Sequence, residues 1–285
     1  MIPPLSLNDG TTIPQLGFGT LYLPAEPTPS EPWTGDVVGL ALKLGYRHID
    51  TAQSYGTEPG VGVAITKSGL PRSDIYVTSK LGNANHRPDD VRTSFAQTLA
   101  NLDVDQLDLF LMHWPLPTLY GGDYVSTWRA MTELVDAGRA RTIGVSNFEP
   151  AHLERIVTET GVVPAVNQIE VHPYFRNDTA RRASTERGIA IEAWSPLGRG
   201  AVLDDPVIAQ VASNHHKTPA QIVLRWHVQH DHIVFPKSAR RERMEENFAI
   251  FDFELSAVEM ADMDALDRGE EGRIGPHPDT FAQVP

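Results

Sequence analysis

The sequence contains no cysteine among its 285 residues. Disulfide bonds and thiolate metal sites are therefore excluded. No apolar run approaches the length of a membrane span, and the opening "MIPPLSLNDG" has neither the basic nor the apolar region of a signal peptide. Acidic residues outnumber basic ones, so the formal charge is −13. This negative charge argues against nucleic-acid partners and anionic membrane surfaces. These absences favour a cytoplasmic protein without membrane or nucleic-acid partners.

Apolar runs of strand length alternate with helical patterns along the whole chain, which is typical of a parallel sheet covered on both faces. The length suits a single α/β barrel domain over residues 1–285. The opening "LSLNDGTTIP" predicts a hairpin with Asp9-Gly10 as its turn. Eight strands are predicted, at Leu16–Gly19, His48–Asp50, Ile75–Lys80, Leu107–His113, Thr142–Ser146, Val166–Glu170, Ala190–Trp194 and Ile233–Pro236.

Helical patterns fill the gaps between the predicted strands, for example at Val91–Leu102, Trp128–Asp136 and His152–Thr160. The spacing Thr218 to Gln221, with proline at the first helical position, predicts a capped helix start, and Ser256 to Glu259 repeats that spacing. A proline-rich loop at Leu23–Pro32 is expected at the top of the barrel.

Groups that can transfer a proton follow three of the predicted strands. Asp50 is followed closely by Tyr55, Lys80 ends the third strand, and His113 ends the fourth beside Trp114. Barrel enzymes build their sites at these carboxyl ends. Free tyrosine titrates near ~10, and a neighbouring ammonium lowers that pKa. Each of the four groups taken alone is compatible with a structural role, whereas the combination predicts a tyrosine proton donor.

Three long segments resemble the aldo-keto reductase family: Gly45–Gly62, Leu102–Pro115 and Val234–Phe248. The runs "IGVSNF", "VNQIEVHPYF" and "AWSPLGRG" follow in the family's order, and the likeness is closest to the bacterial 2,5-diketo-D-gluconate reductase-like group. The resemblance implies a (β/α)8 TIM barrel with an N-terminal hairpin cap and a C-terminal loop over the barrel mouth. It also implies NADPH-dependent reduction of aldehydes, ketones, keto acids, diketones or keto sugars to alcohols.

The same resemblance assigns the catalytic roles. Tyr55 is implied to be the general acid in reduction and the base in oxidation, with its pKa lowered by Lys80. Asp50 is implied to pair with Lys80, and His113 to orient the substrate carbonyl. General acid catalysis of this kind contributes about 10²–10⁴-fold to a rate.

A carbonyl reduction also needs a hydride donor. Gly17-Phe18-Gly19-Thr20 lacks the third glycine of a Rossmann fingerprint and no Walker loop is present, so a dinucleotide would bind across the barrel's C-terminal loops. The basic run "PKSARRER" follows the last predicted strand, where barrels bind phosphate groups. Taken alone, this run is also compatible with a solvated helix face.

The resemblance implies the cofactor residues one by one. Lys237, Ser238 and Arg243 match positions that grip the 2′-phosphate of NADPH, and Glu246 and Asn247 match positions that meet the adenine. Trp194 matches a residue that stacks on the nicotinamide, although an aromatic core plug is the alternative. The other predicted cofactor residues hold the carboxamide, cover the pyrophosphate or line the barrel end, and they are Gly19, Thr20, Ser146, Asn147, Gln168, Ser195, Leu197 and Arg199.

Aromatic residues near the strand ends are the candidates for the substrate pocket. Tyr22, Trp33 and Trp114 are predicted there, with simple packing at the barrel mouth as the alternative. Gly82 stands where many relatives have tryptophan, which is expected to open one wall of the pocket. The tail Gly272–Pro285 is expected to close over the mouth, with a frayed terminus as the alternative.

Two other function classes remain open. A barrel metallohydrolase would need histidines and an acid on strand ends, and only His113 qualifies. The clustered residues His215, His216, His227, His230 and His232 are predicted to be surface histidines on the barrel's stability face, so no metal is expected. A redox-sensing barrel that binds the cofactor with little turnover is the second alternative. A monomer acting on a small carbonyl compound is predicted.

Overall fold

The computed structural model describes residues 2–26 and 32–284 of the chain. The chain opens with an antiparallel hairpin of β1 (Pro4–Ser6) and β2 (Thr12–Pro14). Gly10 takes the turn with φ 82°, a left-handed conformation that glycine adopts without strain. Residues of the hairpin join a buried cluster at this end of the barrel, consisting of Leu7, Ile13, Tyr76, Leu109, Leu111, Ala165, Val166, Ile233 and Phe235. The predicted hairpin cap is therefore confirmed.

Eight parallel strands follow in chain order and form one sheet. They are β3 (Phe18–Gly19), β4 (His48–Asp50), β5 (Tyr76–Leu81), β6 (Leu107–Met112), β7 (Ala140–Ser146), β8 (Val166–Glu170), β9 (Ala190–Trp194) and β10 (Ile233–Val234). A parallel bridge between Leu16 and Val234 joins the two outer strands, and Gly17 N donates to Val234 O at 2.8 Å. The sheet is thereby closed, which confirms the predicted barrel.

Helices follow the strands and cover the outside of the barrel. They are α1 (Thr34–Leu44), α2 (Glu58–Ser68), α3 (Pro88–Leu102), α4 (Tyr124–Asp136), α5 (Pro150–Thr160), α6 (Asp178–Thr185), α7 (Pro206–His215), α8 (Pro219–Gln229), α9 (Arg241–Phe248) and α10 (Ala257–Asp264). No helix in the described part of the chain is long and apolar enough to cross a bilayer.

Helix starts show where sequence patterns mark a boundary well. The two predicted capping boxes are present, because Thr218 and Ser256 both accept from the backbone three residues on. All three example helices begin earlier than predicted, two of them at Pro88 and Pro150, since proline fits the first helical position but has no apolar periodicity. The third begins at Tyr124.

The predicted strands are correct in number and order but differ at their ends. The first begins at Phe18 and the last ends at Val234, so both are two residues shorter than expected. Proline cannot donate to a sheet ladder, which accounts for the exclusion of Pro236. The predicted loop at Leu23–Pro32 falls partly outside the described residues, at positions 27–31.

Candidate active site

A buried ion pair lies at the carboxyl ends of β4 and β5. Lys80 Nζ donates to Asp50 Oδ1 at 2.8 Å, to Asp50 Oδ2 at 2.7 Å and to Thr51 O at 2.9 Å. The lysine side chain is completely buried. All three ammonium hydrogens therefore have protein acceptors, which is the condition under which a buried charge is tolerated. Asp50 holds the lysine in place, as predicted.

Tyr55 ends a single 3₁₀ turn, Gln53–Tyr55, which follows β4 directly. The ammonium of Lys80 lies 4.9 Å from the centroid of its ring. The ring of His113 meets that of Tyr55 edge-to-face, with centroids 5.8 Å apart. The structure thus brings the four predicted catalytic residues together at one end of the barrel.

The electrostatics of this group only partly match the expectation. Burial raises the pKa of Tyr55, whereas the positive charge of Lys80 lowers it and the negative charge of Asp50 raises it further. The influence of Lys80 on the Tyr55 pKa therefore has the predicted direction, although burial outweighs it in this structure. Burial also disfavours the Lys80 ammonium, yet Asp50 and Tyr55 together outweigh that effect and raise the lysine pKa.

His113 is a neutral imidazole at working pH. Burial, with the positive charge of Lys80 as a second cause, lowers its pKa to about 3. A neutral imidazole carries one N–H donor and one acceptor nitrogen. It can therefore donate a hydrogen bond to a carbonyl oxygen without adding a second positive charge beside Lys80.

A cavity of about 660 Å³ opens above these residues at the carboxyl end of the barrel. The predicted residues that line it are Gly19, Tyr22, Asp50, Tyr55, His113, Trp114, Ser146, Asn147, Gln168, Trp194, Ser195, Leu197, Arg199, Lys237 and Arg243. Such a volume suits a small-molecule site. Catalytic, nicotinamide and phosphate candidates from many distant segments therefore share one cavity.

Other predicted residues lie outside the cavity wall. Thr20 is buried and donates to Asp50 O at 2.9 Å, and Lys80 lies beneath the floor. Trp33 precedes α1, where its indole nitrogen donates to Ala25 O at 2.8 Å, so the pocket assignment for Trp33 gains no support. Predicted adenine and phosphate contacts that do not line the cavity are Ser238, Glu246 and Asn247.

Several lining residues were not predicted. They are Leu21, Pro196, Gly200, Leu203, Phe235, Pro236, Gly275 and Pro276. Most flank predicted residues in the same loops, so their loop position was the available signal. Gly275 and Pro276 belong to the C-terminal segment, whose place over the mouth came from the family resemblance.

Two amide side chains are held firmly in the wall. Asn147 Nδ2 donates to His113 O at 2.9 Å and to Ser146 Oγ at 3.0 Å, while its Oδ1 accepts from Trp194 Nε1 at 2.8 Å. Gln168 Nε2 donates to Asp50 Oδ2 at 3.0 Å. The amide hydrogens of both side chains thus point into the protein.

Backbone strain also concentrates here. Tyr22, Asn147, Ser195 and Arg199 all line the cavity, and all have left-handed φ values between 49° and 64°. Non-glycine residues rarely adopt this conformation, and it tends to cluster where structure serves function.

The C-terminal segment Arg273–Gln283 forms a roof over part of the cavity. The carboxylate of Glu170, buried at the end of β8, accepts from Ile274 N at 2.6 Å and from Gly275 N at 2.9 Å. A Cβ atom on Gly275 would lie 2.4 Å from Trp194, so only glycine allows this close approach. Farther along, the ring of Phe281 lies 4.1 Å from that of Trp114. The expected tail closure is therefore seen.

The basic end of the cavity contrasts with the paired catalytic end. Lys237 and Arg243 line the cavity and are exposed. Within residues 2–26 and 32–284, neither forms an ion pair. Arginine and lysine side chains in this state are suited to binding a phosphate group.

The histidine prediction needs a correction. His227 and His232 are buried rather than on the surface, and their Nδ1 atoms lie 3.1 Å apart. His227 Nε2 donates to Pro196 O at 3.0 Å, and burial lowers the His227 pKa to about 3. The two rings are therefore neutral packing groups. Across the residues that the structure describes, no cluster of metal-ligating side chains occurs.

Comparisons with known proteins agree with this geometry. The model of the aldo/keto reductase family matches residues 15–268. The chain belongs to the aldo/keto reductase family. An aldo-keto reductase of Mycolicibacterium smegmatis is 48% identical over 281 residues, which cover 99% of this chain and 98% of that protein.

Two further proteins that are similar to the present chain bear on its chemistry. Methylglyoxal reductase DkgA of Escherichia coli is 40% identical, with 97% of each chain covered. The crystal structure of a Gox0644 mutant in complex with NADPH superposes with a TM-score of 0.92 at 41% identity, covering 99% of this chain and 100% of that one. The predicted class, an NADPH-dependent carbonyl reductase near the diketogluconate-reductase group, is confirmed.

The residues present fit NADPH. Lys237 and Arg243, which form no ion pair within the described residues, line the cavity together with Asn147 and Gln168. Gln168 Oε1 and the second lone pair of Asn147 Oδ1, whose first accepts from Trp194, can accept hydrogen bonds from a carboxamide. Trp194 lines the same cavity and is partly exposed, so its aromatic face can contact a nicotinamide ring. When bound, NADPH supplies the hydride that a carbonyl reduction requires.

Proposed function

We propose that this aldo-keto reductase reduces small aldehydes and 1,2-dicarbonyl compounds such as methylglyoxal, with Tyr55 as the proton donor. The observation that carries the proposal is the convergence of Tyr55, Lys80, Asp50 and His113 at the floor of a cavity. Lys237 and Arg243, which form no ion pair within the described residues, line the same cavity. Aldehydes, ketones, keto acids, diketones and keto sugars are the wider range of candidate substrates.

Each catalytic residue has a defined task in this scheme. The hydride goes to the carbonyl carbon, and the proton of Tyr55 goes to the carbonyl oxygen, so the product is the alcohol. The N–H of neutral His113 holds the oxygen during transfer, and the Lys80 ammonium stabilises the phenolate left on Tyr55. A proton from solvent then restores Tyr55. In alcohol oxidation the same phenolate acts as the base.

The cofactor contacts are proposed from position and charge. Lys237 and Arg243 would bind the 2′-phosphate, and Ser146, Asn147 and Gln168 the carboxamide. Ser238 and Asn247 are buried, and Glu246 is exposed on α9. We propose that these three residues support the phosphate and adenine from outside the cavity wall.

A small substrate is favoured by the roof. Trp114 and Pro276 line the cavity together with Tyr55, and Phe281 packs against Trp114. The related DkgA is named for methylglyoxal. Gly82 does not line the cavity, and its backbone nitrogen donates to Gln53 Oε1 at 2.7 Å. The expected opening of one wall by Gly82 therefore stays a prediction.

Oligomeric state and location are further proposals. We propose a monomer, and one closed sheet spans the strands from Phe18 to Val234, which supports a single domain over residues 1–285. We also propose that the protein works in the cytoplasm. Light scattering on the purified protein and cell fractionation test these points.

The test is NADPH oxidation, followed by absorbance, against a panel of methylglyoxal, nitrobenzaldehyde, an α-diketone and 2,5-diketo-D-gluconate. Turnover with at least one small dicarbonyl is expected, and it should persist after treatment with a metal chelator. Tight NADPH binding without turnover on any carbonyl would instead support the redox-sensing alternative. Chelator-sensitive hydrolysis would support a metallohydrolase.

A further inference from the structure

A second carboxylate lies inside the barrel next to the catalytic group. Glu192 is completely buried in the middle of β9, directly beside Gln168 in the sheet register. Its Oε2 accepts from Gln168 Nε2 at 2.7 Å, whereas its Oε1 is buried and has no hydrogen-bond partner among the described residues. Neither the proposed proton transfer nor the proposed cofactor contacts use this residue.

Gln168 joins Glu192 to Asp50. Its Nε2 donates to both carboxylates, at 3.0 Å to Asp50 Oδ2 and at 2.7 Å to Glu192 Oε2. A primary amide nitrogen has two hydrogens, so both are used. Turning the amide over would remove both donated hydrogen bonds and place its oxygen against the Asp50 carboxylate. Its Oε1 is left as a hydrogen-bond acceptor at the cavity wall.

We propose that Glu192 is a positioning residue that fixes the Gln168 amide for the nicotinamide carboxamide and exchanges a proton with solvent according to the oxidation state of the bound cofactor. This inference rests on the proposed nicotinamide site. It adds a proton-linked group that Gln168 connects to the catalytic Asp50.

The charges around Glu192 set its protonation. Its carboxylate faces Asp50 on β4, Lys80 and Tyr76 on β5, and Gln168 on β8. Burial, strengthened by the negative charge of Asp50, raises the Glu192 pKa to about 8, against the opposing effects of Gln168 and Lys80. At neutral pH Glu192 is therefore protonated, and the charges of Asp50 and Lys80 balance each other.

The two cofactor forms act differently on such a group. Oxidised nicotinamide carries a positive ring charge, and the reduced ring is neutral. A positive charge held against Gln168 favours ionised Glu192, so binding of NADP+ releases a fraction of a proton to solvent. Linkage requires the converse: ionising Glu192 strengthens NADP+ binding, and NADPH binding changes less.

The experiment measures proton release with an indicator dye in weakly buffered solution, just below pH 8, on mixing the protein with saturating NADP+ or NADPH. The 2′-phosphate also loses protons when it binds cations, because a phosphate titrates near ~6. That contribution is common to both forms, so the difference between NADP+ and NADPH isolates the group near the nicotinamide.

Two substitutions are compared. Glu192→Gln keeps the shape and an acceptor oxygen but cannot ionise, and Glu58→Gln is the matched control. Glu58 is another buried glutamate, which accepts from Ser79 and Asn101 outside this network. We expect NADP+ to release more protons than NADPH in wild type and in Glu58→Gln. This difference in proton release should be lost in Glu192→Gln. An undiminished excess in Glu192→Gln overturns the proton linkage.

Unfolding in denaturant gives an independent reading. A raised folded-state pKa means that the native protein holds a proton which the unfolded chain has lost, so this group lowers stability as pH rises through the ordinary glutamate range to about 8. The stability of Glu192→Gln relative to wild type should therefore increase over that window. A pH-independent difference between the two contradicts a protonated Glu192.

Positioning is tested with Glu192→Leu, which removes the acceptor for Gln168. NADPH binding should weaken by about five- to tenfold, the equivalent of one hydrogen bond, and Glu192→Gln should restore it. Equal affinities in Glu192→Leu and wild type overturn the positioning role. Wild-type protein that fails to bind NADPH or reduce any carbonyl refutes the proposed function instead, whereas turnover with equal proton release for both cofactor forms refutes only the Glu192 linkage.

Discussion

The two ends of the cavity are built on opposite principles. At the catalytic end the charges of Lys80 and Asp50 are buried and paired. The Lys80 ammonium donates all three of its hydrogens to Asp50 and Thr51. At the basic end Lys237 and Arg243 are exposed and, in the part of the chain described, unpaired. A preorganised buried end can act on charge that develops during reaction, whereas an exposed unpaired end contributes affinity for a charged ligand. Substitutions at the two ends should therefore fail in different ways.

The largest effect is expected from Tyr55→Phe. Removing the phenol oxygen eliminates the proton donor, so kcat for carbonyl reduction should fall by about 10²–10⁴-fold or more. NADPH affinity should be nearly unchanged, because the phenol does not hold the cofactor. Steady-state kinetics and a fluorescence titration check the two statements, and substantial turnover in the variant would remove Tyr55 from its role.

Lys80→Met tests whether the pairing at the catalytic end matters for stability as well. It leaves Asp50 buried without its cation, and breaking a buried pair in this way costs about 3–5 kcal/mol. The free energy of unfolding, measured in denaturant, should drop by that amount. Lys217→Met is the control, since Lys217 pairs with the exposed Asp252 at 2.7 Å and should lose about 1 kcal/mol or less. Similar losses of unfolding free energy in both variants would show that burial does not make the Lys80–Asp50 pair more important for stability than an exposed pair.

Arg243→Ala tests the basic end. NADPH binding should weaken by about 1.5–3 kcal/mol, the scale of a hydrogen bond to a charged group, and NADH binding should barely change. The control is Arg241→Ala on the same helix, because Arg241 is engaged with Glu245 at 2.8 Å and lies outside the cavity. Equal weakening of NADPH and NADH by Arg243→Ala would mean that this side chain does not read the 2′-phosphate.

The comparison also indicates what sequence patterns can and cannot show. Asp50, Tyr55, Lys80 and His113 were predictable because parallel strands bring their carboxyl ends to one rim, so residues far apart in sequence share a site. The sign of the Tyr55 pKa shift was not predictable, since it depends on how deeply the ring is buried.

Long-range packing explains the other differences. His227 and His232 looked like surface residues because their burial depends on neighbours such as Pro196 and Trp226. Glu192 carried a signal that was overlooked, namely a carboxylate in the centre of an otherwise apolar strand. Trp33 does not line the cavity, so its place in the substrate pocket stays a prediction.

The smallest effect is expected at the roof, which belongs to neither end. Deleting Gly275–Pro285 removes the contact of Phe281 with Trp114 and the Gly275 hydrogen bond to Glu170. The ranking of carbonyl substrates should change and KM for the bulkier ones should rise, while fold and NADPH affinity largely survive. An unchanged ranking would favour a frayed tail without function, and unfolding would make the segment a structural strap.

The most direct test of the division between the two ends measures single-turnover reduction rate and NADPH affinity side by side for Tyr55→Phe and Arg243→Ala. Tyr55→Phe should lose the rate at saturating NADPH and keep the affinity. Arg243→Ala should lose the affinity and keep the rate once NADPH is saturating. If either substitution impairs rate and affinity together to a similar degree, the two ends do not have separate functions.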